Sequence, residues 1–141
     1  MELPSIKLLK GDKKMDKFND NKDIQMKVVA RKIDPYLKLD ILGSLLYQSV
    51  TEAKKEISEA LEDAEGYLLD LTALKQIDST GFGVIVNLAK RLKTGSVMII
   101  IIKDEYIRDL FRITKLDRLF SIVESVEEAL KMLKQANFQP T

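Results

Sequence analysis

At 141 residues, 45% apolar and 32% charged, the chain has the size of one domain with a proper core. Its 23 basic and 22 acidic residues leave a formal net charge of +1, so neither nucleic acid nor an anionic membrane is an expected partner. The absence of cysteine and histidine removes disulfides, thiolate chemistry, the Ser-His-Asp arrangement and most zinc sites. No cofactor and no metal are expected, although carboxylates could still hold magnesium or calcium.

Residues 1–24 alternate lysine with aspartate and asparagine, and Ile6, Leu8 and Leu9 are their only apolar cluster. This composition reads as a charged, solvated tail. It has no long apolar core and is not a secretory signal. The longest apolar run, 97–102, is too short to span a bilayer. A cytoplasmic protein is the expectation.

Residues 25–32 (QMKVVARK) lean towards a strand, and Asp34-Pro35 marks a turn. Residues 36–42 (YLKLDIL) set Tyr36, Lys38 and Asp40 against Leu37, Leu39 and Ile41. That period of two predicts a half-buried strand, paired with the first as a hairpin and closed by Gly43. A helix is expected over 49–64, where Val50, Ala53, Ile57, Ala60 and Leu61 recur at helical spacing, with Gly66 as its stop. Residues 67–71 (YLLDL) have the length of a strand. After Gly81 comes another helical stripe, Val84, Ile85, Leu88, Ala89 and Leu92, with Lys90, Arg91 and Lys93 in its last turn and a break at Thr94-Gly95. Residues 96–102 (SVMIIII) read as a strand covered on both faces. Helix 104–114 follows, then a short strand at 119–123. Ser125 and Glu128 mark the start of a last helix, to Ala136, and 137–141 form a C-terminal tail. This alternation predicts an α/β domain: a mixed, mostly parallel sheet of about five strands with about four helices. Its expected core includes Val84, Ile85, Leu88, Val97, Ile99, Ile101, Leu110 and Phe111.

The stretch QIDSTGFGV (76–83 and Val84) lies between a strand and a helix. Asp78 or Ser79 fits a helix cap, which needs nothing more than these residue types. A second reading uses the same geometry. A helix start favours an anion, and a hydroxyl there tolerates phosphate. Gly81 and Gly83 weaken a first turn, so two of them imply a close approach.

The order YLLDL, TALKQI, DSTGFGVIVNLAKRLK, SVMIIII and DEYIRDLFRITKLDRLFSIVESVEEALK resembles the STAS domain of bacterial anti-sigma-factor antagonists. The resemblance covers about 25–136 and includes Ile107, Leu110, Phe111, Ile113, Thr114, Leu116, Leu119 and Phe120. It implies a single STAS domain over 25–136. The family's phospho-acceptor, the serine after the aspartate, falls on Ser79, with Asp78, Thr80, Gly81 and Gly83 around it. The implied role is partner switching in transcription regulation. The unphosphorylated protein binds an anti-sigma factor that is a serine-protein kinase and frees the sigma factor. Phosphorylation weakens that binding, and a PP2C-type phosphatase reverses it. Alone, the protein is expected to be a monomer or weak dimer. The partner surface is expected to take in Gly43, Ser44 and Leu46 from one loop, and Ile77 and Phe82 from the other. Phe82 is either an exposed anchor or packed inward. Gly43 matches the family's glycine after the second strand, whereas Leu46 stands where many members carry an acid.

Other roles compete. A stressosome scaffold subunit or an accessory transporter subunit would keep the fold. A receiver would take phosphate on Asp70, and a carrier protein would attach phosphopantetheine to the serine. Without histidine, an enzyme using this serine as nucleophile lacks the usual base. We predict that a chain starting at Ile24 keeps the melting temperature of the full chain. A clear drop in a thermal melt would show that Ile6, Leu8 or Leu9 docks on the domain.

Overall fold

The computed structural model describes residues 25–92 and 96–138. The tail at 1–24, the break at Thr94-Gly95 and the end of the C-terminal tail lie outside them. Strand β1 (Lys27–Ile33) turns back at Asp34-Pro35 into β2 (Tyr36–Leu45), as the hairpin signal predicts. A 3-10 turn (Tyr47–Ser49) leads into α1 (Val50–Ala60), then β3 (Gly66–Asp70) and β4 (Leu74–Ile77). After them come α2 (Ser79–Arg91), β5 (Val97–Ile101), α3 (Glu105–Ile113), a second 3-10 turn (Leu116–Arg118), β6 (Ser121–Val123) and α4 (Val126–Phe138).

The six-stranded sheet runs β1-β2-β3-β5-β6, and β4 pairs with β2 off this path. Only β1 is antiparallel to its neighbour. Alternate residues of β2, β3 and β5 enter two cores. Leu39, Leu69 and Ile100 pack with Ile57 of α1, Ile85 and Leu88 of α2 and Phe111 of α3. Tyr36, Leu68, Ile99 and Ile101 pack against Ala129 and Leu133 of α4. One face thus carries three helices and the other carries one. Ser125 Oγ accepts from the Glu128 amide, and Glu128 Oε1 accepts from the Glu124 amide, so the start of α4 is capped where the sequence places it.

Four expectations need correction. Strand β4 was hidden in the LKQI spacer, so the sheet has six strands. Gly66 opens β3 rather than stopping α1, which already ends at Ala60. Space is tight there: a Cβ would lie 2.8 Å from Leu133 Cδ2, so that side chain would have to shift. Val97 is 37% exposed and Leu110 only packs against the core's edge. Strand β2 is covered on both faces, and Lys38 is only 9% exposed.

Lys38 is buried because two carboxylates meet it. Register places Asp40 directly beside Asp70 on the neighbouring strand, a like-charge pair that is unfavourable by itself. Lys38 Nζ lies 2.7 Å from Asp40 Oδ1 and 3.2 Å from Asp70 Oδ2. Burial opposes the charge on Asp70. The Thr72 amide and Lys38 outweigh that and hold its carboxyl below the ordinary value. Burial likewise opposes the charge on Lys38, and the two aspartates prevail and raise its pKa. A lowered folded pKa contributes stability above the unfolded value, about 3.9. That stability is lost as pH falls through the folded value. We predict that wild type is more stable than Asp70→Asn near neutral pH, and that the gap closes in acid. Urea melts over a pH series test this; a gap that is constant with pH would exclude a charge effect.

Candidate functional site

The site forms where β2 ends. Gly43 sits at φ +86°, and a Cβ there would strike the Gln25 carbonyl. Only glycine fits both the conformation and the space. Just past it, register with β4 shifts by one residue between Gly43 and Ser44, and Leu45 then pairs with Ile77. The β2 end therefore lies against the segment that leads into α2.

Asp78 joins the two. As N-cap of α2, its Oδ1 accepts from the Gly81 amide at 2.9 Å. Its Oδ2 accepts from the Tyr47 amide, also at 2.9 Å, in the turn after β2. The Gly81 amide chiefly holds this carboxyl below its ordinary pKa; burial opposes it, and the amides of Tyr47 and Thr80 add to the lowering. The capping role expected for Asp78 is present, and the reach to Tyr47 is an addition. With the carboxylate turned onto these amides, Ser79 occupies the first helical position and is exposed, while Thr80 is half-buried.

The two glycines differ. At Gly81 a Cβ would lie 2.2 Å from the Leu45 carbonyl oxygen, so the close approach there comes from the chain's own strand. Gly83 is exposed, with open space where a Cβ would stand. The positions expected at the partner surface also divide. Leu46 is half-buried. Gly43, Ser44 and Ile77 are buried beneath the surface. Phe82 is corrected from possible anchor to core: it is 8% exposed and meets Phe111 edge-on, with ring centroids 5.0 Å apart. Phe82 lies on the buried face of α2 with Val84, Ile85 and Leu88. Tyr47, which sequence reasoning did not single out, is 72% exposed beside Asp78. Its only sequence signal is an aromatic residue just after a strand end. Asp70, the receiver alternative, is buried and paired with Lys38.

A family model described as the STAS domain matches residues 27–129. The chain belongs to the STAS domain family. Among relatives, a Thermotoga neapolitana protein named as an anti-sigma factor antagonist TM1081 homolog is 35% identical over 65 residues, 45% of this chain. The match spans 58% of that relative's length. An anti-sigma factor antagonist from Mycobacterium paratuberculosis has the same fold, with a TM-score of 0.72 at 14% identity, covering 78% of this chain and 95% of that one. Unphosphorylated SpoIIAA gives 0.60 at 17% identity, covering 77% and 97%. Its phosphorylated form, from Bacillus, gives 0.53 at 17% identity, covering 76% and 99%. At these identities the solved structures establish the STAS fold.

Among the described residues, no helix is long and apolar enough to cross a membrane. Replacing an aspartate N-cap with alanine costs roughly 0.5–2 kcal/mol. We predict a loss in this range for Asp78→Ala, together with faster hydrogen exchange at the Tyr47 amide. Unchanged exchange at Tyr47 would mean that the second hydrogen bond does not hold the turn.

Proposed function

We propose that this STAS domain is an anti-sigma factor antagonist switched by phosphate on Ser79. Unphosphorylated, it binds an anti-sigma factor that is also a serine kinase, and so frees the sigma factor. Phosphorylation ends the binding, and a PP2C-type phosphatase restores it. The observation that carries this reading is the exposed Ser79 hydroxyl at the first position of α2, beside a carboxylate already bound to two amides. SpoIIAA, a protein of this fold known in both unphosphorylated and phosphorylated forms, supports it.

The serine is better suited to receive a phosphate than to attack a substrate. A serine nucleophile needs a base, and both oxygens of its neighbour Asp78 accept backbone hydrogen bonds. The chain is then another protein's substrate and not itself an enzyme. The exposed partner surface consists of Ser79, Gly83 and Tyr47, with Leu46 at its edge. Gly43, Ser44, Ile77 and Phe82 act from below by fixing its shape. Leu46 makes this rim apolar where an acid would make it charged.

Phosphate adds roughly 1.5 to 2 negative charges at this surface. An apolar or acidic partner face would have to bury that charge unpaired, which costs several kcal/mol. We predict that Ser79→Asp weakens binding to the anti-sigma partner by at least about tenfold, or 1.4 kcal/mol, with the fold unchanged. Ser79→Ala is expected to bind normally and to resist phosphorylation. Calorimetric titration and phosphopeptide mapping read the two effects. Equal affinity for wild type and Ser79→Asp, or phosphate retained in Ser79→Ala, would overturn the assignment.

A further inference from the structure

A groove of about 290 Å³ lies between α1 and α2. Its floor is apolar: Ile57 of α1 meets Val84 and Leu88 of α2, all three buried. Lys54 and Ser58 stand on the α1 side, Asn87 and Arg91 on the α2 side, and all four are exposed. Thr80, Val84, Asn87 and Arg91 follow one another at spacings of three or four, so they lie along one line of α2. That line begins beside Ser79 and runs roughly 17 Å, about three helical turns. Gly83, exposed and without a side chain, flanks it, so an incoming backbone can come close to α2 there.

The charge of the groove has one sign. Two of its lining residues are cations and none is an acid. Helix α2 carries no aspartate or glutamate along its length. Glu52 and Glu56 of α1 line a different cavity, next to Met26. Among the described residues, neither Lys54 nor Arg91 pairs with a carboxylate. Arg91 Nη1 donates to Ser58 Oγ across the groove at 3.2 Å, which leaves most of its guanidinium donors unused.

We propose that this groove receives a helical segment of the anti-sigma partner that is apolar at its centre and acidic at its flanks. The inference rests on the reading of Ser79 as the switch of that partner and extends the contact surface to α1. The apolar side chains of the segment cover Ile57, Val84 and Leu88, and its carboxylates meet Lys54 and Arg91. A basic segment would set cation against cation. A wholly apolar one would cover Lys54 and Arg91 without giving them partners. The volume falls just below the roughly 300–1,000 Å³ of small-molecule pockets, which suits inserted side chains. Acidic flanks also give the switch its sign. A phosphate on Ser79, at the head of the same line, sets like charge against the incoming carboxylates.

The test is calorimetric titration of the full chain with the purified anti-sigma kinase, without ATP, so that Ser79 stays unmodified. The double variant Lys54→Glu, Arg91→Glu changes two exposed side chains. It is expected to keep the melting temperature and to weaken binding by at least about tenfold. Lys54→Arg with Arg91→Lys is expected to bind as wild type does. Lys131→Glu with Lys134→Glu makes the same change of net charge on α4, on the other face of the sheet, and is expected to leave affinity unchanged. Wild-type affinity is also expected to fall as sodium chloride is raised. Equal affinity in wild type and the Lys54→Glu, Arg91→Glu variant, an equal loss in the α4 variant, or affinity that salt leaves unchanged would overturn the groove proposal. So would self-association of the chain alone that the groove variant abolishes, which would make a second copy the occupant. If Ser79→Asp still weakens binding in those cases, the reading of Ser79 stands. No binding to the kinase by any form, Ser79→Ala included, would overturn both.

Discussion

One carboxylate organises the end of this domain where β2 meets the start of α2. Asp78 accepts from amides at Gly81 and at Tyr47, 31 residues earlier in the chain. The first bond starts α2, and the second fixes the turn that follows β2. Each amide would otherwise face solvent at a helix end or in a turn. Because a single side chain meets both needs, the hydroxyl of the next residue is left free at the surface. The display of Ser79 follows from the commitment of its neighbour.

That arrangement requires the two backbones to come unusually close, and the sheet arranges it. Strand β2 pairs with β1 and β3, and beyond Gly43 also with β4. The left-handed Gly43 and the register shift beside it carry the strand on to Leu45. Gly81 then sits against the Leu45 carbonyl with no room for a side chain. Below this junction, Phe82 and Phe111 lock α2 to α3, so the helix start is mounted on core rather than on loop. Binding surfaces are most selective when a rigid scaffold positions them.

Charge is handled differently at the two ends of β2. Inside the sheet, one cation, Lys38, bridges the two carboxylates of Asp40 and Asp70. At the α1 side of the strand's end, Glu52 and Glu56 have no such counterion among the described residues. At the Ser79 surface the Asp78 carboxylate is taken up by two amides, and the approximately two charges of a phosphate would add to its charge.

Much of this was legible in local sequence pattern. The apolar periods mark the hairpin, the covered β5 and the helical stripes of α2 and α3, because each element buries residues at its own repeat. Asp78 and Ser125 announce their helices because capping needs only a side-chain oxygen at the right position. The D-S-T-G run and the hydrophobic pattern after it pointed to the STAS family, and so to Ser79. Other features depend on contacts between distant segments. LKQI has apolar residues only at its ends, and it becomes β4 because the end of β2 offers it a ladder. Lys38 looks like a solvent-facing strand residue until register sets Asp40 beside Asp70. The direction of Phe82 and the tie from Asp78 to Tyr47 have no local signature. Sequence determined the elements and their order, because those follow from each residue's own backbone and polarity. Tertiary structure decided which side chains around Ser79 are exposed and which are buried, because exposure depends on what the rest of the chain brings alongside.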